Sequence, residues 1–169
     1  GDLPMIIEMA ASTILSLGTV TTQGASDTAQ FVAEEAERGR RQLQDSFSFG
    51  LGGKGVFDEL YSVAERCLVG DWDGYGAAPL SANVYAQACQ FLRALPLGIA
   101  APSIGAEPDG HLTLEWYRSP RRLLSVSISP EGDLHYAALL GPNKAYGTEA
   151  FFGDVPRPIL DLIHRVQAA

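Results

Sequence analysis

The sequence is poor in positive charge. Twelve Lys and Arg face twenty Asp and Glu among 169 residues, a formal net charge of −8 at pH 7. Affinity for nucleic acid and for anionic membrane surfaces comes from basic side chains that neutralise phosphates. Neither a nucleic acid nor a membrane is therefore an expected partner, whereas a basic protein is. Cysteine is scarce too: Cys67 and Cys89 are the only two. Two cysteines make no disulfide framework, and no CxxC pair or Cys/His cluster stands in the chain, so no structural metal is expected. Both fall among apolar neighbours and read as buried free thiols in a reducing compartment. Long apolar runs are missing as well. The N-terminal stretch Met5 to Leu17 is broken by Glu8 and small polar residues, too short to span a bilayer and without the basic flank of a signal peptide. The expected location is the cytoplasm.

What is present is ordinary for a folded domain: 46% hydrophobic and 19% charged residues in a length that supports one core. Residues 1–26 are rich in Ala, Ser, Thr and Gly and read as an arm. Residues 28–45 are strong helix formers, but Phe31, Val32, Ala36 and Leu43 are their few apolar positions. Such a helix is expected to bury little and to serve a partner. Gly50-Leu51-Gly52-Gly53-Lys54-Gly55 has the spacing of a dinucleotide-binding loop, yet no buried strand precedes it and no βαβ units surround it. Lys54 is followed by Gly55 rather than Ser or Thr, so it is no P-loop either. The segment reads as a flexible linker, and no cofactor is expected. The chain is thus divided into 1–55 (arm, polar helix, Gly-rich linker) and 56–169 (compact domain).

Val56, Phe57, Leu60, Tyr61, Ala64, Cys67 and Leu68 follow one helical face, with Gly70 as the stop. Ser81 is the expected N-cap of a second helix whose inner face is Val84, Ala88, Phe91, Leu92 and Leu95. Beyond residue 101 the period becomes two. Leu112, Leu114 and Trp116 alternate with polar residues, as do Leu124, Val126 and Ile128, then Leu134, Tyr136 and Ala138. Asp109-Gly110, Ser119-Pro120 and Pro130-Glu131-Gly132 supply turns between these runs. Further strands are expected near 102–107 and 144–152. Asp154 is the expected cap of a last helix, with Pro156 in its first turn and Ile159, Leu160, Ile163 and Val166 facing inward. The fold class is α+β: an antiparallel meander of about four to five strands, covered on one face by the amphipathic helices.

Three groups of residues merit a chemical reading. Hairpin arithmetic puts Thr113, Ser127 and His135 in one row of the polar sheet face, with Glu115 one pleat away. A Ser–His–Glu set is the raw material of acyl transfer, but reactive serines sit on sharp turns near oxyanion donors, and no G-x-S-x-G occurs. Serines in a strand are also simply the polar half of the alternation. Trp72, Asp73 and Tyr75, in Trp72-Asp73-Gly74-Tyr75-Gly76-Ala77, are candidates for binding a sugar or peptide; the competing reading is a structural turn anchored by Trp72. Arg118, Arg121 and Arg122 gather at one hairpin tip, either as a solvated turn or as a contact for an anion. His111 with Asp109 and Asp133 has metal-ligand chemistry, but hairpin ends collect such residues anyway.

The stretch Trp72-Asp73-Gly74-Tyr75-Gly76-Ala77-x-Pro79, followed by Phe91-Leu92-x-x-Leu95-Pro96, Glu107-Pro108-Asp109-Gly110-x-Leu112-x-Leu114-Glu115-Trp116, Tyr136-Ala137-x-Leu139-x-Gly141, Gly147-Thr148-Glu149-x-Phe151 and Pro156-x-x-Ile159-Leu160, resembles a family of small bacterial proteins of unassigned function. The resemblance spans about residues 68–168. It implies a bacterial single-domain protein and brings no activity to carry over, since the shared residues are mostly Gly, Pro, Asp-Gly and Trp, a fold signature more than a catalytic one. The functional expectation is accordingly a non-catalytic, acidic interaction protein of an accessory, antitoxin-like or immunity-like kind. It would bind a basic protein through the polar sheet face or the N-terminal arm, and the arm is also a route to homo-oligomers. The alternative is a small hydrolase-like enzyme or ligand-binding domain built on Ser127, His135 and Glu115, or on the Trp72-Asp73 turn.

Overall fold

The computed structural model describes residues 27–38 and 53–168. Helix α1 covers 27–38, followed by α2 (Gly53–Arg66) and α3 (Ala82–Ala94). Five strands come next, β1 (Ser103–Ala106), β2 (Leu112–Ser119), β3 (Arg122–Ile128), β4 (Asp133–Leu140) and β5 (Asn143–Ala150), and helix α4 (Arg157–Gln167) ends the order. The strands form one antiparallel sheet in sequence order. This is the expected α+β meander, and its register is the one the turns imply: Thr113 pairs with Ser127, Glu115 with Ser125, and Ser127 with His135.

The period of two gives the sheet a dry face. Leu112, Leu114, Leu124, Val126, Ile128 and Leu134 are fully buried, each contributing ~1.5–3 kcal/mol of transfer free energy. Trp116 lies with them and donates its indole N–H to the Ala100 carbonyl at 2.8 Å, so its burial leaves no polar atom unpaired. Helices α2, α3 and α4 cover this face with Leu60, Ala64, Val84, Phe91, Ile159 and Ile163. Ser81 caps α3 as expected, accepting from the Val84 N–H at 3.3 Å. On β5, Gly147 lets the Tyr136 ring lie flat against the backbone: a Cβ there would meet the Tyr136 hydroxyl at 2.5 Å.

Several expectations are corrected. Helix α1 is not a helix that buries little: Val32 and Ala36, one turn apart, are buried, and Val32 belongs to the main core. The buried carboxylate of Glu35 makes this possible, because it is paired with Arg38 and, at 3.6 Å, with Arg93 of α3. Arg93 also lies over the Phe57 ring of α2, so one guanidinium ties three helices together. Gly53, Lys54 and Gly55 are not linker but the first turn of α2. That helix ends at Arg66 rather than at Gly70, and Asp71, not Gly70, takes the left-handed backbone, at φ 61. Asp154 does not cap α4; the N-cap is Pro156, with no side-chain cap bond, and Pro158 stands in the first turn where its missing N–H costs nothing. The arm at 1–26 and residues 39–52, which include the rest of the expected 28–45 helix and Gly50 to Gly52, lie outside the described residues.

Both cysteines are free and buried. Burial pushes the Cys89 thiol up to about 11, the nearby Arg93 opposing it only in part. Desolvation likewise raises the Tyr85 phenol, with the neighbouring Cys89 adding to it, and raises the Cys67 thiol. No helix among the described residues is long and apolar enough to cross a membrane.

Candidate functional site on the open face of the sheet

The second face of the sheet carries no helix among the described residues. Its rows follow from the pairing. One runs Gly105, Thr113, Ser127, His135, Thr148; the next runs Ser103, Glu115, Ser125, Ala137, Tyr146; a third runs Tyr117, Leu123, Leu139, Lys144.

The first row holds a polar network. Glu107 sits just before the turn that joins β1 to β2. That turn is closed by the Glu107 N–H donating to His111 O at 2.9 Å and the Gly110 N–H donating to Glu107 O at 3.0 Å. The fold-back returns the Glu107 carboxylate to the sheet, where Oε1 accepts from the Thr113 hydroxyl and, at 2.8 Å, from the Ser127 hydroxyl. His111 Nδ1 lies 3.1 Å from Ser127 Oγ. His111 Nε2 is 3.8 Å from Asp109 Oδ2. The His111 and His135 rings stack, centroids 5.9 Å apart, and His135 Nδ1 lies 2.9 Å from the Thr148 hydroxyl.

These contacts bear on the hydrolase reading. Ser127 and His135 are cross-strand partners, but their hydrogen bonds go elsewhere, to Glu107 and His111 in one case and to Thr148 in the other. Glu115 stands in the next row opposite Ser125 and Ser103, and its carbonyl accepts from the Ser103 hydroxyl at 3.3 Å. The Ser127 hydroxyl donates to Glu107 Oε1, so its proton is not directed at an imidazole base. Strand β3 is paired on both sides, so its backbone N–H groups are committed to the ladder and do not converge as an oxyanion hole. Among the described residues, no group of three or more His, Cys, Asp and Glu is placed to hold a metal ion.

The second and third rows have a different character. Tyr117 and Tyr146 are 60% and 82% exposed, and beside them stand half-buried Leu123 and Leu139 and exposed Ala137. A tyrosine–leucine surface whose rows also hold Glu115 and Lys144 has the aromatic-rich composition of interface centres. Sequence reasoning missed these residues. The alternation signal was available for Tyr117, Leu123 and Leu139, each on the polar parity of its strand; their union with Tyr146 depends on β5.

The turn at Trp72 is a self-contained structure. Trp72 donates its indole N–H to Ala78 O at 2.9 Å and packs on the core. Asp73 Oδ1 accepts from the N–H groups of Tyr75 and Ala77 at 2.8 and 3.1 Å, while Asp71 Oδ1 accepts from the Gly76 N–H at 2.6 Å. Gly74 and Gly76 adopt positive φ, 76 and 89, where side chains are disfavoured. Of the candidate binding residues here, Tyr75 alone points fully outward, 94% exposed. At the opposite end of the sheet, Arg121 and Arg122 line a cavity together with Arg165 of α4; Arg118 is not part of its wall.

Comparison with family models, with curated proteins and with solved structures returned no match.

Proposed function

We propose that this protein acts by binding another protein and not by catalysis, and that it presents the open face of its sheet to a basic partner. The observation that carries this reading is the patch formed by Tyr117, Tyr146, Leu123, Leu139 and Ala137 on a sheet face that no described helix covers. Tyrosines of this kind supply large contact areas at little entropic cost and dominate interface energetics. The net charge of −8 supports a basic partner, because opposite charge accelerates encounter. The two free thiols suit a reducing, cytoplasmic compartment. Kinship with the small bacterial proteins that the chain resembles is supported by the structural use of the shared residues: Trp72, Asp73, Gly74 and Gly76 all serve one turn.

The test is a pull-down from the native host at low salt with the tagged chain and its Tyr117→Arg/Tyr146→Arg variant. A stoichiometric basic protein should be retained by the former and weakened at least about tenfold by the variant, with unchanged circular dichroism. A partner that both forms retain equally would refute this face as the binding surface.

A further inference from the structure

At one corner of the molecule the β2–β3 turn and the β4–β5 turn meet the end of α4, and a cavity of about 480 Å³ opens between them. Arg121 comes to it from the first turn, Arg122 from the start of β3, Gly141 from the second turn and Arg165 from the helix, with Ser119, Leu140 and Ala168 completing the wall. The corner is braced. The Gly141 N–H donates to Arg121 O at 2.7 Å, locking one turn to the other, and Arg122 Nη1 donates to Ala168 O at 2.6 Å, locking the hairpin to the end of α4. That bond leaves the other N–H groups of the Arg122 fork for a ligand.

We propose that this cavity is a binding site for a small phosphorylated molecule, held by its phosphate monoester. The inference does not rest on the open-face reading and concerns a different part of the surface. In a chain with twelve basic residues and a net charge of −8, three arginines line a single cavity. None of the described carboxylates forms an ion pair with them. The carbonyl end of α4, where Arg122 bonds Ala168 O, offsets only part of their charge; with no described carboxylate paired to them the arginines still repel one another, and a bound anion relieves that repulsion. A lone carboxylate is satisfied by one guanidinium fork and brings one charge. A phosphate monoester brings nearly two charges and three acceptor oxygens, which suits forks arriving from separate elements. Arginine stays protonated at every accessible pH, so the site needs no titration to form. The overall negative charge does not oppose this at close range: screening reduces remote charges beyond ~8 Å at physiological ionic strength, leaving the arginines to set the local potential. The volume lies in the range of small-ligand sites, ~300–1,000 Å³.

The site is tested on the full chain by titrating inorganic phosphate, followed by nitrogen–proton correlation spectra, with chloride at matched ionic strength as the control. Saturable shifts should be confined to Ser119, Gly141 and the arginine Nε–H groups of the corner, and be absent with chloride. Arg165→Ala should weaken phosphate binding about tenfold or more, since a charge-assisted donor pair is removed. Arg121→Ala, also at an exposed position, should do the same. Arg157→Ala, on the same helix but outside the cavity wall, should leave the affinity within about twofold. The proposal is overturned by equal shifts with chloride, by no saturable response, or by Arg165→Ala and Arg121→Ala titrating like the unaltered chain.

Discussion

The two faces of the sheet are made by the same strands and held by the same backbone ladder, and they differ by one residue along the chain. Leu112, Ile128 and Leu134 are aligned across three strands and fully buried; the adjacent row, Thr113, Ser127 and His135, carries hydroxyls and an exposed imidazole. The covered face contributes transfer free energy and rigid packing. The open face contributes little to stability, because its groups exchange water for each other at near-equal free energy. It is therefore free to carry tyrosines and leucines that a purely solvated face would replace with charge. Stability and recognition are separated across the thickness of one sheet.

The strongest way to break this comparison is a matched pair of leucine deletions. Leu124→Ala, on the covered face, should lower unfolding free energy by ~2–5 kcal/mol through lost transfer and a cavity. Its neighbour Leu123 is half-buried on the open face, and Leu123→Ala should cost under about 1 kcal/mol. Urea midpoints of equal size for the two would dissolve the distinction.

Alkali should act through two buried groups of α3. The folded Cys89 thiol sits at about 11 against an ordinary 9.0, and the Tyr85 phenol is raised in the same direction. A raised folded pKa means that the unfolded chain releases its proton first. The stabilisation is complete below pH 9 and is lost as the pH rises through the folded value. Urea unfolding between pH 8.5 and 11 should show a fall of roughly 2–3 kcal/mol from Cys89, and Cys89→Ala should make the profile shallower, leaving the part due to Tyr85 and Cys67.

A small effect is likewise expected in the polar row. Ser127→Ala removes a donor to Glu107, which keeps the Thr113 hydroxyl, and should cost ~0.5–1.5 kcal/mol. A loss above about 4 kcal/mol would show that the network is part of the core and not of the surface.

Much of this was legible in the chain. The alternation Leu112-Thr113-Leu114-Glu115-Trp116 and the turn residues Ser119-Pro120 and Pro130-Glu131-Gly132 predict both faces and the register of β2, β3 and β4. Hairpin pairing is local, so turn length and a period of two leave one alignment. The α1 helix was misjudged because its burial depends on Arg93, far along the chain, meeting the charge of Glu35. Composition alone cannot anticipate that partner. The Ser–His–Glu row was located correctly, yet its hydrogen bonds were not: Glu107 and His111 enter it from a turn, where periodicity carries no information about side-chain direction.

The sequence by itself determined the α+β class, the strand order, the register of the central hairpins and the division of the sheet into an apolar and a polar face. All of these arise from interactions between near neighbours in the chain. Tertiary structure alone decided that α1 joins the core, that Tyr146 completes a patch with Tyr117, Leu123 and Leu139, and that Arg165 joins Arg121 and Arg122 around one cavity. Each of these brings together residues from separate elements. Their meeting is set by how the helices pack on the sheet, which depends on the whole core at once and leaves no periodic mark in any single segment.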